Sequence, residues 1–215
     1  GACSIDQVLF WLSSLKATHE LNVQPIPLNE VKDWHISETE IVREDRRYFR
    51  ILGVNVSIES REVQAWCQPI VEPMQEGICA FILKKIDGVY HFLVQAKIEC
   101  GNFDVVEMAP SVQCLTGDYK NPDLVKPPFL DYVLHASKRQ VIFDTMQSEE
   151  GGRFYHEQNR NLLVEADDSF PTSIPPNYHW LTLGQIKEFL RFNNYLNIQA
   201  RSLIAALDYG SRHVG

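Results

Sequence analysis

The sequence predicts an α+β fold, a β-rich body with helices at its two ends. Three observations carry that prediction. Short apolar or alternating runs recur between turn residues from Trp34 to about Gln113. Apolar residues at helical spacing open the chain and return twice near its end. Strands and helices are therefore grouped in separate stretches, as α+β domains group them.

Each element has its own local reason. Ser4 can cap a helix running to about Lys16, because Val8, Leu9, Leu12 and Leu15 recur on one face. Pro25 and Pro27 make Asn22–Pro27 a linker. Strands are expected at 48–52, 54–58, 63–66, 78–83 and 90–97, split by turn residues. Asp87-Gly88 is the strongest of these signals, a two-residue hairpin turn. A short helix at 129–136 precedes a strand at 140–143, and Leu162-Leu163-Val164 favours a strand inside 153–165. Thr182 with Gln185 forms a capping box ahead of Ile186, Phe189 and Leu190, and Asn197 caps a last helix bearing Ala200, Leu203, Ile204 and Leu207. Residues 1–30 read as a helix and linker, and 31–215 as a single module.

Bulk properties narrow the function. A chain of 215 residues can bury about 70% of its unfolded surface, and 45% hydrophobic with 22% charged residues is ordinary globular usage. Its longest apolar runs, such as Gly77 to Leu83, are strand-sized, far short of the roughly 20 residues of a membrane helix. Asp6 rather than a basic segment precedes Val8–Leu12, so no signal peptide is expected. The net charge of −8, with no Lys/Arg run longer than pairs such as Arg46-Arg47, argues against a nucleic-acid partner, and the short apolar runs against a membrane. A diphosphate still suits such a chain wherever a few Arg, Lys and backbone N–H groups converge. Five cysteines, at 3, 67, 79, 100 and 114, form no CxxC pair, which argues against a zinc site or disulfide framework and for a reduced, cytoplasmic setting.

Two polar clusters follow apolar strands. Phe92-Leu93-Val94 leads into Gln95, Lys97 and Glu99, which strand alternation would aim the same way, with Asn102 beyond. Val141-Ile142-Phe143 leads into Gln147 to Phe154, and Asn159-Arg160-Asn161 lies further on. A polar, charged face is costly to bury, so the pair suggests one site for a hydroxylated or phosphorylated small molecule. The bland reading of Lys97 and Glu99 is a structural ion pair at a strand end. Any single member of the second cluster is as readily a surface salt bridge or turn.

Trp34-His35, Tyr48-Phe49, Trp66 to Ile70, Gly77-Ile78, the 95–102 stretch, Ser111-Val112-Gln113, the 147–154 stretch, Asn159-Arg160-Asn161 and Trp180 to Gln185 occur in one order. That order resembles the NDP-hexose 2,3-dehydratase family of deoxysugar biosynthesis, from about Asp33 to Leu207. The resemblance implies a Nudix-hydrolase-like mixed sheet. The hydrolases' own signature, a Gly followed by spaced Glu with Arg-Glu and Glu-Glu pairs, is absent. Cys100 stands where the family commonly has Pro, and 120–123 lacks the family's His-Gly-Gly.

The implied reaction removes water across C2 and C3 of a nucleotide-linked 4-keto-6-deoxyhexose. The C4 ketone acidifies the C3 proton, a base removes it, an oxyanion develops at C4, and the C2 hydroxyl leaves with help from an acid. No metal or redox cofactor is required. Lys97 and Glu99 are the first catalytic candidates, with Glu149 the alternative base. Gln68, Gln95, Asn102, Gln113, Gln147 and Asn161 are expected to hold hydroxyls, Arg153 and Arg160 the diphosphate, and Trp66 and Tyr119 the base. Trp66 is as readily a core residue, and His91 and His156 read as structural.

A non-catalytic nucleotide-sugar-binding module and an isomerase or epimerase on a related keto-sugar are the competing functions. Family members usually carry two modules in tandem, so a one-module chain is expected to pair as a homodimer. Phe189, Leu190, Phe192, Leu203 and Ile204 are one candidate face, unless they fill the module's own core.

Overall fold

A computed structural model describes residues 3–117 and 124–207. Helix α1 (Ile5–Thr18) starts where expected, with Ser4 and Gln7 forming a reciprocal capping box. A four-stranded antiparallel sheet follows, in the order β1 (Trp34–Ile36), β2 (Glu40–Arg43), β3 (Phe49–Ser57), β4 (Ala65–Pro73). β3 is one strand rather than the expected two. Gly53 does not interrupt it, because it pairs with Pro69 and the ladder continues on both sides. Pro69 is tolerated because β4 lies at the sheet edge, where its missing N–H breaks no inner ladder.

The second sheet holds the core. Its main path runs β11 (Tyr178–Thr182), β6 (Val89–Lys97), β5 (Gly77–Ile86), β10 (Gln158–Glu165), β9 (Val141–Ser148). β10 runs parallel to β5 and the other pairs are antiparallel, so the sheet is mixed. The β5–β6 hairpin turns at Asp87 and Gly88, both at positive φ, as a tight two-residue turn demands.

Both faces of this sheet are covered. Cys79, Phe81 and Leu83 of β5 point to one side, where α1, α3 (Leu183–Phe189) and α4 (Ile198–Ala205) pack through Val8, Leu12, Ile186, Phe189, Leu203 and Ile204. Ile78, Ala80 and Ile82 point to the other, against α2 (Leu130–Leu134), Phe170 and Tyr178. A strand buried on both faces reads as a continuous apolar run, as 78–83 does. The N-terminal helix is thus part of the same core as the module that follows it. Of the face suggested for dimerisation, Phe189, Leu203 and Ile204 are spent on that core, and only Leu190 and Phe192 face outward. Among the described residues no helix is long and apolar enough to cross a membrane.

One irregularity positions everything that follows. β5 and β6 pair only from Ile82–Leu93 to Ile86–Val89. Beyond that point β5 takes β8 (Val112–Leu115) as partner and β6 takes β7 (Glu107–Ala109), so the two strands fork. Ser111, fully buried between β7 and β8, closes the fork: its hydroxyl accepts from the Ile82 N–H at 2.8 Å and donates to the Leu93 carbonyl.

Candidate active site

The fork opens into a crevice of about 620 Å³. Gly77–Cys79 of β5 and Gln113–Leu115 of β8 form its floor, with Lys97 and Glu99 on one side and Glu157 and Asn159 on the other. Tyr48 closes one edge, and Gln199 reaches in from α4.

Lys97 is the last residue of β6. Its ammonium donates to the Gln113 carbonyl at 3.0 Å and lies 3.7 Å from a Glu99 oxygen. Gln113 then organises the wall: its amide N–H donates to Glu99 at 3.1 Å, and its oxygen accepts from Asn197 at 2.7 Å. Asn197 also caps α4 through the Ala200 N–H, so the helix start and the crevice wall are one construction. The Lys97 and Glu99 side chains are 24% and 38% exposed, which leaves both accessible to a ligand. Lys97 and Glu99 face the same crevice, as the sequence suggested, although β6 ends at Lys97 and Glu99 already opens a turn in which the Asn102 N–H donates to the Glu99 carbonyl at 3.0 Å.

The opposite wall rests on Asn159, 7% exposed. Its amide donates to Glu149 at 2.7 Å and also hydrogen-bonds the Glu157 carboxylate. Gly77 is needed here, because a Cβ at that position would lie 2.1 Å from the Asn159 oxygen. Burial, and then the negative charge of Glu149, hold the Glu157 carboxyl above its ordinary range, and the Asn159 hydrogen bond only partly opposes them. Burial pushes the Cys79 thiol up to about 12, which leaves it an inert floor residue.

Two further hollows adjoin. One of about 910 Å³, between β3 and the 148–158 turn, shares Glu157 with the crevice. Another of about 510 Å³ holds Gln147, Glu149 and Asn161 and shares Cys79 and Gln199 with it.

The structure therefore gathers Lys97, Glu99 and Gln113 in one crevice, Glu149 one hydrogen bond away, and Gln147 and Asn161 next door. Others lie elsewhere. Gln95 lines another hollow beneath α1, with Leu15, His19 and Asn177, which meets the crevice only at Lys97. The Asn102 side chain braces the Glu99 turn by donating to the Lys97 carbonyl at 3.4 Å. Trp66 and Gln68 sit on β4, where Trp66 donates to Gln68 and Gln68 to the Gly152 carbonyl. Arg153 is 74% exposed and pairs with Glu150 on the tip of its turn. Arg160 forks onto Asp144, which is held below the usual carboxylate range by that guanidinium. Alternation places Arg160 with Leu162 and Val164, on the sheet face away from Asn159 and Asn161. Tyr119 lies outside the described residues.

Sequence reasoning missed Glu157 altogether and gave Asn159 no role of its own. Tyr48 was noted only for its place in the resemblance, yet it lines the crevice with the Arg43 and Arg47 guanidinium groups about 5.5 and 5.3 Å from its ring centroid. A usable signal did exist for Glu157. It stands two residues before Asn159, on the same strand parity, just ahead of the apolar run 162–164.

Comparison with known proteins places this geometry. Residues 5–207 match the family model for NDP-hexose 2,3-dehydratase. The chain is 43% identical over 205 residues to a dTDP-4-dehydro-6-deoxy-alpha-D-glucopyranose 2,3-dehydratase of Saccharopolyspora spinosa, covering 95% of this chain and 42% of that protein. It is 45% identical over 203 residues to the protein of that name from Streptomyces violaceoruber, covering 93% and 45%. It thus spans less than half the length of these relatives. Among solved structures, an ADP compounds hydrolase aligns at a TM-score of 0.43 and 13% identity over 73% of this chain and 83% of that one. A Nudix hydrolase from M. smegmatis aligns at 0.40 and 11% over 71% and 91%. Scores this low carry no argument, and the α+β assignment rests on the sheet topology itself. By family match and sequence identity together, the chain belongs to the NDP-hexose 2,3-dehydratase family.

Proposed function

We propose that this chain eliminates water across C2 and C3 of a dTDP-linked 4-keto-6-deoxyhexose, with the hexose in the forked crevice. The observation that supports this best is the placement of an ammonium, a carboxylate and an amide, Lys97, Glu99 and Gln113, on one wall of a cleft of about 620 Å³, roomy enough for a nucleotide-linked hexose. Glu99 removes the C3 proton. Lys97 has three N–H donors and gives one to the Gln113 carbonyl, so others can meet the oxyanion that develops at C4. Glu149, a hydrogen bond from the opposite wall, is the second candidate base. Gln147 and Asn161 hold hydroxyls from the adjoining hollow.

The diphosphate lies toward Tyr48, beside Arg47, rather than at Arg153, on the tip of its turn, or Arg160, on the other sheet face. The elimination changes no net oxidation level, so it calls for no redox cofactor. The protein works in the cytoplasm, as a homodimer.

Incubation with dTDP-4-keto-6-deoxyglucose in D2O, followed by NMR and mass spectrometry, tests the reading. Loss of one water supports it. Deuterium uptake without water loss favours an isomerase or epimerase, and binding without change favours a non-catalytic module.

A further inference from the structure

The far wall of the crevice carries chemistry that proton removal by Glu99 does not use. Glu157 lines both the crevice and the larger hollow beside it, at their junction. The Asn159 amide donates to Glu149 at 2.7 Å, and the Glu157 carboxylate is close enough to feel both that amide and the Glu149 charge. The backbone supports this: the Glu149 N–H donates to the Glu157 carbonyl at 3.0 Å, and Gly77 leaves the space that the Asn159 amide oxygen fills. A half-buried carboxylate beside a second negative charge is disfavoured in its ionised form, which favours a proton on it. Burial and the Glu149 charge both favour Glu157 as the holder. An elimination needs such a group, because hydroxide is a poor leaving group and water a good one.

We propose that Glu157 is the general acid of the elimination, with Glu149 and Asn159 positioning it across the cleft from Glu99. The inference rests on the dehydratase reading. Once the C3 proton has passed to Glu99, the C4 enolate pushes its electrons back. The C4 carbonyl reforms, a double bond forms between C2 and C3, and the C2–O bond breaks with its electron pair on oxygen. Glu157 gives that oxygen its proton, so water departs. The enzyme is left with Glu99 protonated and Glu157 ionised, one proton gained and one lost, and exchange with solvent resets both.

Acid and base make separable contributions, which gives the test. In D2O with dTDP-4-keto-6-deoxyglucose, Glu157→Gln should slow water loss by about 10²–10⁴-fold. Deuterium should still enter at C3, because Glu99 continues to remove and return that proton. Glu157→Asp retains an acid and should recover part of the elimination. If Glu157→Gln does not fold, a raised ratio of C3 exchange to elimination in Glu157→Asp carries the same test. Elimination at the wild-type rate in Glu157→Gln, or equal loss of exchange and elimination, overturns the assignment. A wild-type protein that neither exchanges C3 nor loses water overturns the dehydratase reading itself, and the acid with it.

Discussion

Replacing Ser111 by Ala tests whether the fork that creates the crevice is built as described. Ser111 is fully buried, and its hydroxyl satisfies two backbone groups on diverging strands, the Ile82 N–H and the Leu93 carbonyl. The substitution removes one oxygen and leaves no cavity of consequence, so its cost is that of two orphaned groups. Each buried, unsatisfied backbone group costs about 1–3 kcal/mol, and partial closing of the fork recovers some of that, leaving about 3 kcal/mol. At roughly 2–4 °C per kcal/mol for a chain of this size, the melting temperature should fall by about 6–12 °C. Urea midpoints by circular dichroism give the free energy, and a thermal scan gives the shift. Ser202→Ala is the matched control: the same atom is deleted, but its hydroxyl donates to the Ile198 carbonyl at an exposed helix position, so the cost should stay within about 0.5 kcal/mol. Equal, small effects in both variants would refute the claim that Ser111 holds the fork.

Glu99→Gln should lower kcat by about 10²–10⁴-fold with the melting temperature little changed, since Glu99 is part-exposed and held by one Gln113 hydrogen bond and a 3.7 Å contact to Lys97; wild-type turnover would pass the base to Glu149. Arg47→Ala should weaken dTDP binding by about 1.5–3 kcal/mol in calorimetric titration. Arg160→Ala should leave affinity within about twofold and cost at most about 1 kcal/mol of stability, and the reverse pattern would move the diphosphate to the other sheet face. The Glu157 carboxyl is raised above its ordinary 4.5, so between that value and its folded one the native state binds more protons than the unfolded chain. Stability is therefore lost as pH rises through that window, and Glu157→Gln should gain melting temperature relative to wild type on going from about pH 4 to about pH 8; a gap that does not widen contradicts the raised carboxyl.

Local chemistry was legible in the sequence wherever it decides local structure. Ser4-Gln7 and Thr182-Gln185 close capping boxes, Asn197 caps the last helix, and Asp87-Gly88 makes the hairpin. Gly53 misled, because a lone glycine marks a break only when the ladder does not continue past it. The site was half legible. Lys97, Glu99 and Gln113 stood out as polar residues at apolar strand ends. Asn159 and Glu157 did not, because what brings them to the crevice is the parallel pairing of β10 with β5, which sets Asn159 opposite Gly77. No local pattern encodes that register. Grouping Asn159-Arg160-Asn161 as one cluster also ignored alternation, which sends Arg160 to the other face. Arg153 and Gln95 were grouped with their clusters by proximity along the chain, and their neighbours proved to be a turn tip and the underside of α1.

The location of the hexose tests the central claim most directly. A crystal structure of Glu99→Gln soaked with dTDP-4-keto-6-deoxyglucose should place the sugar between Gln113 and Asn159. Its C3 should lie within about 3.5 Å of the residue 99 side chain, and its C2 oxygen should face Glu157. A sugar bound instead in the hollow beneath α1, or against Trp66 on the four-stranded sheet, would contradict the account.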